Sequence, residues 1–473
     1  MENIITITEA TLKELSWVND FDQNLKMVEL MKLIAMNLLY KKDVKDIIPE
    51  FYVLLCGLDK SSVIYCIIMK WYNTIVKISN NKKNLEYNTM IYACKNGHLA
   101  VVESLIKNGA NIHAEDDEAL RYASERGHLA VVECLLSHGA DIHADDDYAL
   151  QCASENGHIT VVKYLILHGA NIHVNTDRPI QTASYNGHLA VVEVLINNGA
   201  DIYAHDAYAL QCASSGGHLA VVEFLIKHGA NVNAINNNGD ECKTAIGEAS
   251  MNGHLAIVEC LIKNGADIHI YNDEAFIAAG DNLAVVECLI KHGANVNAID
   301  NDCGSALYNA VINDHYDIVV CLLENGANVQ ADENKALRAW ARYHGCDWFK
   351  RRTHSKENVH LDIVKILIEY GADINVNEDQ PLRLASEYGY STIVEYLLTN
   401  GADVHAKNDL SLLCASENGH LAVVECLIKH GANIHAYDNE SIRLAKKNKH
   451  INIVKYLEKH VVVEENLLLP SHV

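Results

Sequence analysis

Residues 115–144 read EDDEALRYASERGHLAVVECLLSHGADIHA, and residues 145–174 repeat the sentence as DDDYALQCASENGHITVVKYLILHGANIHV. Within one copy, Asp117 stands where a helix N-cap belongs, Leu120 and Ala123 share one helical face, and Gly127 closes that helix. A second helix opens near Leu129, sets Val131, Val132, Leu135 and Leu136 on an apolar stripe, and stops at Gly139. Ala140 to Ala144, with the acidic residues beyond, form an extended turn into the next copy. Each helix holds roughly ten residues, below the ~12–15 at which an isolated helix is even marginal in water. One copy therefore cannot fold alone. It must bury both stripes against its neighbours, which makes the chain an all-α solenoid with short hairpin connections.

Working outward, regular copies occupy about 85–114, 115–144, 145–174, 175–204 and 205–234. The unit 235–270 is six residues longer at its hairpin, around Asn236-Asn237-Asn238-Gly239-Asp240, and 299–331 is 33 residues long around Asp302-Cys303-Gly304. Between them 271–298 is two residues short, with Ala279-Gly280-Asp281-Asn282-Leu283 in place of the longer turn. Residues 332–376 carry an insertion near 341–358, then 377–406 and 407–436 are regular again. The last unit, 437–466, replaces its turn glycine by Lys449 and ends in a polar closing cap with Lys446 and Lys447. About twelve repeats thus span 85–466, and 467–473 read as a disordered tail. Residues 1–84 read as a helical N-terminal cap. Val63 to Ile68 has the apolar shape of Val131 to Leu136, which makes 45–84 a candidate degenerate leading repeat.

The recurring Gly127-His128-Leu129, Val131-Val132-Glu133-Cys134-Leu135-Leu136 and Gly139-Ala140-Asp141-Ile142, with Leu120 and Ala123, resemble the ankyrin repeat. The usual repeat is 33 residues and opens with Thr-Pro-Leu-His, whereas most copies here take 30 and read Ala119-Leu120-Arg121. The resemblance therefore implies a projecting hairpin finger three residues shorter than usual. The 30-residue phrasing Gly-His-Leu-Ala-Val-Val-Glu is similar to that of ankyrin proteins from giant amoeba viruses of the mimivirus type. A recruitment domain such as an F-box is the alternative to a plain cap for residues 1–84, although no Leu-Pro-type opening is present.

Charge bears on partners. Of 38 Lys/Arg and 62 Asp/Glu, residues 1–84 hold eleven and ten, so the array beyond carries −25 of the total −24. Such a surface repels nucleic acid and anionic membranes and suits a basic protein partner. Of the 14 cysteines nine recur at equivalent positions, Cys134, Cys260, Cys288, Cys321 and Cys426 on second helices, Cys94, Cys152, Cys212 and Cys414 on first helices. Equivalent positions lie a helix-packing distance of ~8–10 Å apart, beyond the ~7 Å a disulfide allows. They read as small core residues in a reducing compartment. Met1 to Trp17 lacks the basic and apolar segments of a secretory signal, and no apolar run reaches ~18 residues. The expected location is intracellular, in the host cytoplasm under the viral resemblance, as a monomer.

No catalytic constellation emerges, and no cofactor is expected. Most of the 26 histidines fall at three repeat positions, typified by His128, His138 and His143. One rung per ~8–10 Å cannot gather the donors a zinc site needs, so they read as structural residues bonded to backbone, and no metal site is expected. There is neither a Cys-x-x-Cys pair nor a His-Glu-x-x-His run, and Gly57-Leu58-Asp59-Lys60-Ser61 lacks phosphate-loop spacing. What varies between copies is a small set of positions: Arg121, Tyr122, Tyr148, Gln151, Arg178, Gln181, Tyr208 and Gln211. Variation on one face of a constant frame is how a solenoid writes specificity, although drift at unconstrained sites gives the same pattern. The resemblance places these residues on the concave, partner-binding face. The acidic runs Glu115–Glu118 and Asp145–Asp147 read as solvated tips or as a negative row along that face. The insertion adds Trp348, Phe349, Arg351 and Arg352, a basic aromatic segment expected to dock on an acidic protein surface or on the array itself. The expected function is a non-enzymatic protein-interaction scaffold. The alternative is an adaptor that recruits host proteins to a ubiquitin ligase through residues 1–84.

Overall fold

A computed structural model of the chain describes residues 82–236, 243–299, 304–343 and 357–468, with Thr11 and Met31 alone before them. Nearly all of the expected N-terminal cap, and the insertion from 344 to 356, lie outside the described residues. The chain divides into two compact units, Met1–Ala245 and Ile246–Val473. In each, the described backbone is a succession of helix pairs, twelve in all.

The packing follows the two apolar stripes. First helices stack on first helices, Glu118–Glu125 on Ala144–Glu155, then Arg178–Tyr185, then Ala204–Ser215. Second helices stack likewise, Leu129–Ser137 on Ile159–Leu167 and on through Leu189–Asn197 to Leu219–Lys227. Leu120, Ala123, Val131, Val132 and Leu135 are buried, whereas Leu136 is only half-buried. A fully buried Leu or Val is worth about 1.5–3 kcal/mol, realised partly between the two helices of a copy and partly against the neighbouring copies. The nine described cysteines are free thiols, five of them buried.

The connections are short, but in the 30-residue copies they are not β-paired hairpins. Three successive residues take left-handed backbone angles instead: Glu115, Asp116 and Asp117 at φ 50, 52 and 54°, and Asp145, Asp146 and Asp147 at 51, 55 and 53°. The same triplet recurs at Asn175–Asp177, Tyr271–Asp273, Asn377–Asp379 and Lys407–Asp409. A repeat three residues short has no chain to form two strands, so a tight left-handed turn reverses it. Asp and Asn fill many of these positions because their short polar side chains tolerate this region best after glycine. β-pairing returns where the chain is longer. Ile235–Asn236 pairs antiparallel with Lys243–Thr244, and Ile299 bridges Ser305.

This geometry corrects the reading of Asp117 as a side-chain cap. An N-cap needs an extended backbone to aim its oxygen at the following amides. At φ 54° Asp117 makes no such bond. Its buried carboxylate instead accepts the Asp141 amide of the following connection at 3.1 Å and faces His113 Nδ1 at 3.2 Å. Asp147 does the same with Asn171 N at 2.8 Å and His143 at 3.1 Å, and Asp409 with Asn433 N at 2.7 Å and His405 at 3.1 Å.

The turn histidines bond to backbone across copies. His158 Nε2 lies 2.8 Å from the Glu125 carbonyl, 33 positions earlier, and His188 Nε2 lies 3.0 Å from that of Glu155. The His158 ring covers Gly127, whose φ is +75°, so a Cβ there would collide with the ring. In the short unit Asn282 takes the histidine's place over Gly253 and donates to the Met251 carbonyl at 3.4 Å. Where Asp314 replaces the turn glycine, at φ 61°, its carboxylate receives His360 Nε2 at 3.1 Å, both side chains buried. Lys449 likewise keeps a left-handed φ of 64° despite its Cβ. The final helix, Ile451–Leu468, runs two residues into the stretch expected to be a disordered tail.

Candidate partner-binding groove

In each copy the left-handed triplet delivers the chain to the first residue of the first helix. Tyr148, Arg178 and Tyr208 occupy that rung in successive copies, and Gln151, Gln181 and Gln211 stand one turn further along the same face. Tyr148, Gln151, Arg178, Gln181 and Tyr208 line one open groove of about 590 Å³ with Asp145, Asp146, Asn175, Asn236 and Lys243. Five of the variable positions thus meet in one place.

Their roles differ. The glutamines are buried and their amides are committed to the chain itself. Gln151 Nε2 donates to the Asp146 carbonyl at 2.7 Å and Gln181 Nε2 to that of Thr176 at 2.8 Å, which fastens the left-handed turn to its helix. Gln211 Nε2 reaches the Ala234 carbonyl at 3.4 Å. Tyr148 and Tyr208 keep 39% and 36% of their surface exposed and form the rims. Arg178 is exposed and has no ion-pair partner among the described residues. The carboxylates of Asp145 and Asp146 line the groove together with Lys243 and Arg178, so it carries both charge signs.

Arg121 and Tyr122 lie one copy earlier, in an adjoining cluster. Arg121 pairs with Glu118, which also receives the Tyr87 hydroxyl. Its guanidinium carbon sits 5.0 Å from the Tyr122 ring centre and 5.6 Å from that of Tyr148, while Lys95 Nζ covers Tyr122 at 3.6 Å. Trp348, Phe349, Arg351 and Arg352 lie outside the described residues, as do the residues on which a ligase-adaptor role would depend. The lining residues not singled out in the sequence are Asn175, Asn236 and Lys243. The last two come from the β-paired connection, whose extra length was visible in the sequence but whose fold toward the groove was not.

A second constellation lies in the other unit. Glu395, Cys426 and His430 place a carboxylate oxygen, a sulfur and an imidazole nitrogen within 4.8 Å of one another. Hydrogen bonds from Cys426 and Lys429, with the His430 ring close by, hold the Glu395 carboxyl well below the usual range, at about 2. Burial, then Glu395, pushes the Cys426 thiol up to about 12. The one-rung-per-copy argument missed this group because a long glutamate side chain spans the gap between copies that Cα spacing sets. Its signal was Glu395, with Cys426 31 positions on and His430 four beyond that.

Family models of ankyrin repeats match residues 63–146, 143–206, 274–347 and 353–408 as three-copy arrays, 210–262 as a many-copy array and 411–439 as a single repeat. The chain belongs to the ankyrin-repeat family. Repeats of this family generally mediate protein–protein interactions. No curated protein matches the chain. Among the described residues no helix is long and apolar enough to cross a membrane.

Proposed function

We propose that this chain is a protein-binding scaffold without enzymatic activity, and that its partner enters the groove between Tyr148 and Tyr208 and meets Arg178 there. The observation that carries this reading is the convergence of positions that change between otherwise constant copies. Two half-exposed tyrosines flanking an arginine without an ion-pair partner are the side chains that most often dominate binding energy at protein interfaces. The acidic array, with Asp145 and Asp146 at the groove, favours a partner that presents basic residues, and its field speeds their encounter. Under the viral resemblance, which rests on the 30-residue phrasing and on the Asn-, Ile-, Lys- and Tyr-rich wording of residues 1–84, that partner is a host protein met in the cytoplasm by a monomer.

The test is comparative affinity purification with wild-type chain and a Tyr148→Ala/Tyr208→Ala double variant, followed by Arg178→Ala. All three side chains are at least a third exposed, so the melting temperature should hold. The expected result is at least a tenfold weaker affinity for the proteins captured by wild type, since truncation at such anchors costs about 2 kcal/mol or more. If the same proteins bind all forms equally, the groove is not the docking site.

A further inference from the structure

Three described second helices carry Cys and His four positions apart, as Cys134–His138, Cys288–His292 and Cys426–His430. In the first two, imidazole Nδ1 lies 2.8 Å from the cysteine's own carbonyl oxygen. In the third the ring reaches the preceding copy. His430 Nε2 lies 3.4 Å from Glu395 Oε2, on the second helix of the preceding copy, Ser391–Thr399. Cys426 Sγ, in a side chain 7% exposed, lies 2.8 Å from the same oxygen. The other carboxylate oxygen, Oε1, receives Lys429 Nζ at 2.9 Å. His430 Nε2 is buried and makes no hydrogen bond. A thiol, an imidazole nitrogen and a carboxylate oxygen therefore converge, with one nitrogen left unsatisfied.

Thiolate, imidazole and carboxylate together form the donor set of a borderline-soft divalent ion, zinc above all. Tetrahedral zinc with bonds of ~2.0–2.3 Å places its donors ~3.3–3.6 Å apart. The Glu395–His430 gap of 3.4 Å already meets this. The sulfur, 2.8 Å from the carboxylate oxygen, must back away by less than ~1 Å while staying near the imidazole, from which it lies within 4.8 Å, a change within reach of side-chain rotation. We propose that Glu395, Cys426 and His430 bind a zinc ion, with the fourth position open to water or to a donor from a partner.

The charges balance: one carboxylate and one thiolate neutralise the dication, and imidazole binds neutral. As the S–Zn bond forms, the Cys426 S–H proton leaves to solvent and its bond to Glu395 is given up. Lys429 stays on Oε1 and so presents Oε2 to the ion, the orienting role that hydrogen-bonded neighbours usually play for ligating carboxylates. The ion would tie the helix Ser391–Thr399 to Leu421–Lys429, a metal staple added to the apolar packing and the Lys429–Glu395 bond that already join these copies. This site is independent of the groove.

The experiment uses the full chain, reduced and stripped of metal. Co2+ is titrated as a probe while thiolate-to-cobalt charge-transfer absorption is followed, and melting is measured with and without Zn2+. Wild type should bind one equivalent with that absorption and melt higher with zinc. Cys426→Ser and His430→Gln should lose both responses. Glu395→Gln, conservative at an exposed side chain, should bind at least tenfold more weakly while melting as wild type in chelator. Cys134→Ser should behave as wild type, which separates this site from the remaining thiols. The proposal is overturned if Cys426→Ser binds as much cobalt as wild type, if Glu395→Gln binds as tightly, or if zinc leaves wild-type melting unmoved.

Discussion

Asp147 shows how one side chain joins two successive connections. It is buried, lies 3.1 Å from His143 Nδ1 within its own connection, and accepts the Asn171 amide of the next. Asp147→Ala strands that amide and removes the histidine's partner, at a cost of about 1–3 kcal/mol for the unsatisfied buried group. Asp147→Asn keeps an acceptor oxygen. Asn334, at the equivalent place, accepts the Asp373 amide at 2.8 Å through its Oδ1. The asparagine variant should therefore lose well under half of what alanine loses, read from urea midpoints at constant slope. Equal losses would mean that the carboxylate charge, and not the acceptor, holds the connections together.

At the scale of the element, the left-handed triplet is the unusual feature. Single left-handed residues are common at helix ends, but three in a row without glycine cost of order 1 kcal/mol each. Thr176 is the least suited of them, since its branched Cβ crowds the carbonyl at φ 57°. Its side chain is exposed, and only its carbonyl is used, by Gln181. Thr176→Gly should raise stability by about 0.5–1 kcal/mol, because glycine at positive φ relieves strain that outweighs its unfolded-state entropy. A thermal or urea melt decides it. A destabilised variant would show that the turn is not strained at that position. Gln151→Ala and Gln181→Ala, by contrast, should loosen their turns and speed amide exchange over 145–147 and 175–177.

For the whole molecule, pH dependence follows from burial. Burial, helped by Cys134, pushes the Cys94 thiol up to about 12, and burial with Glu125 and Glu155 does the same for Cys152. Both stay protonated in the fold when unfolded thiols, near ~8.5, lose their protons. Their contribution is therefore fully present below ~8.5 and is lost as pH rises toward about 12. On the acid side, burial and the neighbouring His128 hold His98 below the usual imidazole range. A depressed histidine contributes stability above ~6.5 that fades as pH falls through its folded value. Melting temperature should peak between these limits, with pH 10 clearly below pH 8. In the native chain at pH 8, Cys94 and Cys152 should resist alkylation that labels the urea-unfolded chain at once. Fast native labelling of Cys152 would contradict its burial.

What the sequence determined by itself was the repeat, the two stripes and the framework. Apolar spacing at Val131, Val132 and Leu135 and the recurring turn glycines are local facts that the backbone period enforces. It also marked which positions vary. The tertiary structure decided what those positions do: Gln151 and Gln181 bond to their own turns, while Tyr148, Arg178 and Tyr208 line a groove. It decided the hand of the connections, because only a count of the residues left between packed helices shows that strands do not fit. And it brought Glu395 to Cys426 and His430 across copies. Spacing along a chain fixes where Cα atoms recur, but the reach and direction of long side chains depend on how neighbouring copies pack.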